Sequence, residues 1–331
     1  MIAKAYVKEE MFSSNKFRDL KRFYKGLDNV QDLIYFSKER PMAISQIYEL
    51  NKEYYKNIIV VVPTKDISKS EKDILRNFPD TFIIVVESGG QYFNFAKSMN
   101  LGISKALSYN PSWVILSNDD LKITEGTNFI DCVNHTKNAD ILLPTVIEGD
   151  IPQPKFFDLY EQSKALEFLI KISSLFLVSQ FFEFTRGQTG YSRTKIFKDK
   201  GSLHYVQIPS HMKDCNLLHK FVISFGRLLL SRRLIKIPKI QPISAVKAEI
   251  LKNNKFDEVF INNGEDTDLA IRLSLQHCSV SICNIIFSTM GSVSLKKDKI
   301  SSYRRNIQEF SYLGYKLKNH YLTILQNQAS M

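Results

Sequence analysis

The chain has 331 residues, 44% of them hydrophobic, and its 45 Lys and Arg outnumber 34 Asp and Glu for a formal net charge of +11. This is the composition of a globular chain with an ample core, and no apolar run reaches the ~20 residues a membrane-spanning helix needs. Cys132, Cys215, Cys278 and Cys283 form no C-x-x-C pair, which argues against a zinc finger, and the basic excess favours anionic partners without choosing among nucleotides, nucleic acid and an acidic membrane surface.

Residues 1–30 are charged and mixed and are expected to be an extension, with 17–24 helical. An alternation of elements follows. "DLIYF" (32–36) reads as a short strand, and 42–55 carries Ile44, Ile47, Tyr48 and Leu50 at helical spacing. "IIVVV" (58–62), "FIIVV" (82–86) and "WVIL" (113–116) are fully apolar strands, with helices between them over about 68–78 and 95–108. A further strand is expected at 141–145. Such runs separated by helices predict an α/β fold with an open, mostly parallel central sheet flanked by helices. Ligands of such sheets sit at the carboxyl ends of the strands, which places SKER, PTKD, ESGG and SNDD on one crevice. Residues 151–240 break the rhythm and read as an insertion with amphipathic basic helices; 241–296 resume it, and 297–331 read as a basic, Tyr-rich helical tail.

Two acidic groups stand out in this basic chain. Asp119 and Asp120 end the strand 113–116, where no helix dipole rewards them, and adjacent like charges need a cation or donors to neutralise them. A divalent metal carrying a phosphate would do so, and a solvated turn would explain the same residues. In "NNGEDTDLAIRL" (262–273), Glu265, Asp266 and Asp268 follow a flexible Asn-Asn-Gly. Acids in a first helical turn are stabilised by the dipole, and Asp268 and Arg272 are spaced for a surface pair, so a purely structural helix start also fits.

Four blocks together resemble a family 2 glycosyltransferase of the GT-A nucleotide-sugar fold, near its rhamnosyltransferase-like branch. They are "LIYFSKERP" (33–41), "NFAKSMNLGISKAL" (94–107), "WVILSNDD" (113–120) and "ISAVKAEILKNNKFDEVFINNGEDTDLAIRL" (243–273). The resemblance covers about residues 31–145 and 240–320, and the order of four blocks is more specific than any one of them. It implies a nucleotide-sugar-binding half over 31–150 and an acceptor-side half over 241–296. Asp119, with Asp120 beside it, would hold Mg²⁺ or Mn²⁺ on the donor diphosphate. Asp266 would be the catalytic base and Glu265 would help position the acceptor. Lys97 and Asn100 would approach the nucleotide, and Ser37, Glu39 and Thr64 would face the base and ribose from the first two strand ends. The chain departs from the family at Ser117, where the first acid of the metal motif would stand, at Pro63-Thr64, where an acid would hold the base, and at Met290, near the place of a family histidine.

The implied activity is inverting transfer of a sugar from a nucleotide-diphosphate sugar to a glycan or lipid-linked acceptor. "LHKFVISFGRLLLSRRLIK" (218–236) mixes Lys220, Arg227, Arg232, Arg233 and Lys236 with apolar residues; it reads either as a helix lying on a membrane or as a core helix with basic stems reaching solvent. "MIAKAYVKEE" lacks the apolar run of a secretory signal, so a cytoplasmic chain, in one reading peripheral on the inner membrane face, is expected. No specific nucleic acid is expected. The competing reading is a catalytically inactive GT-A-like basic protein that binds nucleic acid or membrane.

Overall fold

The computed structural model describes residues 30–162, 203–207, 231–289 and 312–321, apart from single positions within them, and a few isolated residues outside. Its centre is a mixed sheet in the order β1-β3-β2-β4-β11-β6-β12-β5, built from β1 (Gln46–Leu50), β2 (Ile58–Thr64), β3 (Phe82–Glu87), β4 (Trp113–Ser117), β5 (Leu121–Glu125), β6 (Ile141–Glu148), β11 (Ile243–Lys247) and β12 (Val280–Thr289). β7 (Ile151–Pro152) folds back on β6. The pairings make β2, β3, β4, β6 and β12 parallel to one another, while β1, β5 and β11 run the other way. A second, antiparallel sheet joins β8 (Phe156–Gln162), β9 (Leu203–Gln207) and β10 (Ser231–Pro238).

The central strands are apolar throughout because both faces are covered. Ile59, Val61, Ile84, Val86, Val114 and Leu116 pack on one side with α3 (Phe95–Leu107), α5 (Ala248–Asn253) and α6 (Glu265–Leu275). Val60, Val62, Ile83, Val85 and Ile115 pack on the other with α2 (Ile67–Asn77) and α4 (Phe129–His135). Each such side chain contributes on the order of 1.5–3 kcal/mol by leaving water. The glycine of "NLGI" has a packing cause. A Cβ on Gly102 would run into the side chains of Val61 and Val86, so its absence lets α3 lie close on β2 and β3.

Two expectations from the sequence are corrected. The stretch 32–36 is not a strand but part of α1 (Val30–Lys38), which buries Val30, Leu33, Phe36 and Ser37 on one face. The stretch 42–55 is not a helix; its central part forms β1, an edge strand antiparallel to β3. Its apolar residues suit either spacing, and pairing with β3 decides. Tyr48 and Leu50, two apart, pack against the second core cluster, while Ile47 is exposed. The first strand of the parallel set is therefore β2. Pro63 does not end it, since Pro63 falls beyond the last pair with β4, Val61 with Leu116, and stays in register with Val86 of β3.

The expected basic helix over 218–236 is also corrected where the structure describes it. Residues 231–236 lie in β10, where exposed Lys236 and buried Ile237 alternate as on a strand; 218–230 lie outside the described residues. No helix among the described residues is long and apolar enough to cross a membrane. Of the tail, α7 (Gly314–Lys316) and a π-helical turn, Leu317–Tyr321, are described, and they bury Leu313, Leu317 and Tyr321 against the face that carries α3 and α6.

Candidate functional site

The carboxyl ends of β2, β4, β6 and β12 form one edge of the sheet, and the N-terminus of α6 returns to it because α6 leads down into β12. Thr64, the last residue of β2, is buried and donates to Asp119 Oδ2 at 2.6 Å. Burial pushes the Asp119 carboxyl above its usual range and Asp120 adds to the rise, while the Thr64 hydroxyl and Lys65 oppose it. Asp120 Oδ2 accepts from Thr289 Oγ1, at the end of β12, at 2.7 Å. Thr289 stands opposite Glu148, the last residue of β6.

Asp266 occupies the first turn of α6. Gly264 at φ 91° makes the left-handed bend that starts the helix, a conformation open to glycine without strain, which is the physical content of Asn-Asn-Gly. Asp266 Oδ1 accepts the Thr267 N–H at 2.7 Å. Burial raises the carboxyl above its usual range; the Thr267 amide and then the positive charge of Lys239 pull it down. Lys239 is itself half-buried, and burial lowers it against the opposing pull of Asp266 and then Glu148. Its Nζ donates to Gln153 Oε1 at 2.9 Å. Glu265 is buried beside Asp266.

The edge therefore collects Thr64, Asp119, Asp120, Glu148, Lys239, Glu265 and Asp266. It does not collect all the expected residues. Ser37 is buried within α1, where its Oγ donates to Leu33 O at 2.9 Å, and Glu39 is exposed after that helix; neither ends a strand, because the strand expected there is α1. Asn100 is turned into the loop that precedes α6. Its Nδ2 donates to Phe256 O and its Oδ1 accepts from Phe256 N, both at 2.9 Å. Asn94 caps α3 through the Lys97 N–H and gives its Nδ2 to Phe260 O, so the block "NFAKSMN" holds Phe-Asp-Glu in place. Lys97 is half-buried in the first turn of α3.

Sequence reasoning passed over Gln241, Asn118 and Lys239. The Asn118 N–H donates to Pro242 O at 2.9 Å and Ser117 pairs with Ile243, which sets Gln241 against the turn that carries Asp119. Gln241 is 8% exposed, and neither side-chain amide atom has a hydrogen-bond partner among the described residues. Asn118 Oδ1 and Asp120 Oδ1 are likewise buried without a partner among the described residues. Such atoms are costly to leave unmatched and mark a place for water or a ligand. The rule that looks to carboxyl ends of parallel strands could not find Gln241, which stands just before the antiparallel β11.

The donor set suits a hard divalent cation: two adjacent carboxylates, one with a buried oxygen still unmatched. Among the described residues no three or more His, Cys, Asp or Glu stand close enough together to hold a metal ion by themselves. Three acceptors with a single NH₂ group suit hydroxyl-bearing ligands better than a bare phosphate, which can only accept.

No protein-family model matches the chain, and no curated protein sequence does. Among solved structures it is similar to a mannosyltransferase, PcManGT from Pyrobaculum calidifontis in complex with GDP-Man and Mn²⁺, at 9% identity and a TM-score of 0.36, over 97% of this chain and 80% of that one.

Proposed function

We propose that the chain is an inverting glycosyltransferase that moves a sugar from a nucleotide-diphosphate sugar to an acceptor hydroxyl. One observation carries the reading: the Asp119–Asp120 pair and the half-buried, elevated carboxyl of Asp266 come to one sheet edge, with Lys239 electrostatically tied to Asp266 and to Glu148. The four blocks that resemble family 2 glycosyltransferases support it.

Asp266 takes the proton of the acceptor hydroxyl. The hydroxyl oxygen then forms a bond to the anomeric carbon as the bond from that carbon to the diphosphate oxygen breaks, and the nucleoside diphosphate leaves from the opposite face, which inverts the centre. Asp119 and Asp120 would hold Mg²⁺ or Mn²⁺, and such a cation offsets charge on a leaving diphosphate. Lys65 and Lys239 add positive charge along the same edge. Gln241 and Asn118 offer their unmatched amide atoms to sugar hydroxyls. An elevated carboxyl suits a base that works near neutral pH, and transfer should fall as pH drops through that elevated value.

The test is a donor screen with Mn²⁺ or Mg²⁺, in which UDP-, GDP- and dTDP-sugars are incubated with the protein, nucleoside diphosphate release is read and donor binding is measured alongside. Release from one donor that disappears in Asp266→Asn is the expected result. Binding of none of these donors would sink the reading.

A further inference from the structure

The third acid of the α6 motif does something different from the first two. Asp268 is fully buried, and its oxygens are fully used. Oδ1 accepts from the Tyr321 hydroxyl at 2.6 Å and meets Lys316 Nζ at 2.5 Å, and Oδ2 accepts from Arg272 Nε at 3.0 Å. Asp257, in the Phe-Asp-Glu loop, is the mirror case. Its Oδ1 accepts the Val259 N–H at 3.0 Å, and its Oδ2 accepts from the Tyr312 hydroxyl at 2.7 Å and Lys316 Nζ at 2.8 Å.

Lys316 thus stands between two carboxylates, one from each acidic block of the acceptor half, with a side chain only 12% exposed. Its ammonium also lies 5.5–5.8 Å from the ring centres of Tyr312, Phe260 and Tyr321. Arg272 closes the other side by donating to Lys255 O at 2.6 Å. Two acids and two bases balance in a buried network whose donors come from three chain segments. A neutral, fully hydrogen-bonded network of this kind fixes one geometry, because a shift of any member leaves a charge unmatched.

We propose that Lys316, with Tyr312 and Tyr321, positions the candidate base: the segment 312–321 sets the placement of the first turn of α6 and so the aim of Asp266, without itself reaching the crevice. The inference rests on the glycosyltransferase reading for its kinetic consequence but not for its structural one. A helix turn is stiff, and Asp268 is two residues from Asp266, so loosening one carboxylate displaces the other. A misplacement of about 1 Å in a reacting group can cost on the order of a hundredfold in rate.

Three variants of the full chain test it: Lys316→Met, Lys316→Arg and Tyr321→Phe. With the donor found in the screen, Lys316→Met should lower kcat at least tenfold while donor affinity stays within twofold, and Lys316→Arg should recover much of the loss. Tyr321→Phe should fall between wild type and Lys316→Met. Hydrogen exchange on the same samples should show faster exchange at 265–269 in Lys316→Met, with β2 and β3 unchanged. A Lys316→Met protein that loses thermal stability yet keeps kcat, and whose 265–269 amides exchange as in wild type, would overturn the proposal. If the wild type binds no sugar nucleotide, the glycosyltransferase reading fails by itself, and the exchange pattern still decides whether the segment positions α6.

Discussion

The two acidic regions of this molecule are neutralised in opposite ways. At the end of β4, Asp119 and Asp120 are met by hydroxyls, from Thr64 and Thr289, and Asp120 keeps a buried oxygen unmatched. Beneath α6, Asp257 and Asp268 are met by Lys316, Arg272 and two tyrosine hydroxyls. The first arrangement leaves charge that no ion pair among the described residues balances; the second balances it internally. Asp266 belongs with the first group although it is two residues from Asp268, since its close hydrogen bonds come from Thr267 and its opposing charge is Lys239. Acid density in a sequence therefore says little until the partner of each acid is known.

This contrast can be broken by mutation. Asp266→Asn should lower transfer by about 10²–10⁴-fold, the usual worth of a general base. It should do so without lowering thermal stability, because an ionised carboxylate elevated by burial works against the fold at neutral pH. Asp268→Asn should do the reverse at the level of the fold. Removing one partner of a buried ion network leaves Lys316 and Arg272 short of a counter-charge and should cost about 3 kcal/mol in urea unfolding. Equal losses of stability in both variants would erase the distinction.

The sequence shows the apolar strands plainly because their apolar runs are long and both faces are covered: β2, β3 and β4 fall within a residue or two of their expected bounds. It also shows that Asp119 and Asp266 are unusual. It misses α1 and β1, where short amphipathic stretches fit either period and only the neighbouring elements decide. That error moves Ser37 and Glu39 off the crevice. It does not foresee that Asn100 holds the Phe256 backbone, because a polar residue in a motif near a ligand looks the same whether it touches the ligand or holds the loop that does. It cannot pair Lys316 with Asp268, since 48 positions separate them and nothing local marks either.

Smaller effects sharpen the same comparison. Gln241→Met replaces a buried amide that has no partner among the described residues with an apolar side chain of similar size. The free protein should unfold at an unchanged or slightly higher urea concentration, within about 1 kcal/mol of wild type. A loss well beyond that would reveal a partner inside the chain and remove Gln241 from the crevice.

The smallest effect is a difference in sign. Burial alone would raise the Asp257 carboxyl, but Lys316 and Tyr312 outweigh it and hold the group below the usual carboxylate range. A depressed folded value contributes stability above the unfolded value of about 3.9, and that stability is lost as pH falls through the folded one. Asp266 is elevated, so its contribution is present at low pH and lost as pH rises through the folded value. Thermal unfolding across pH should therefore separate the two variants. The deficit of Asp257→Asn relative to wild type should hold steady above about pH 5 and shrink below about pH 4. Asp266→Asn should gain on wild type as pH climbs through the elevated value of that carboxyl. Slopes of the same sign would mean that the two carboxylates share one environment, and the division between a balanced support and an unbalanced site would fail at its most sensitive point.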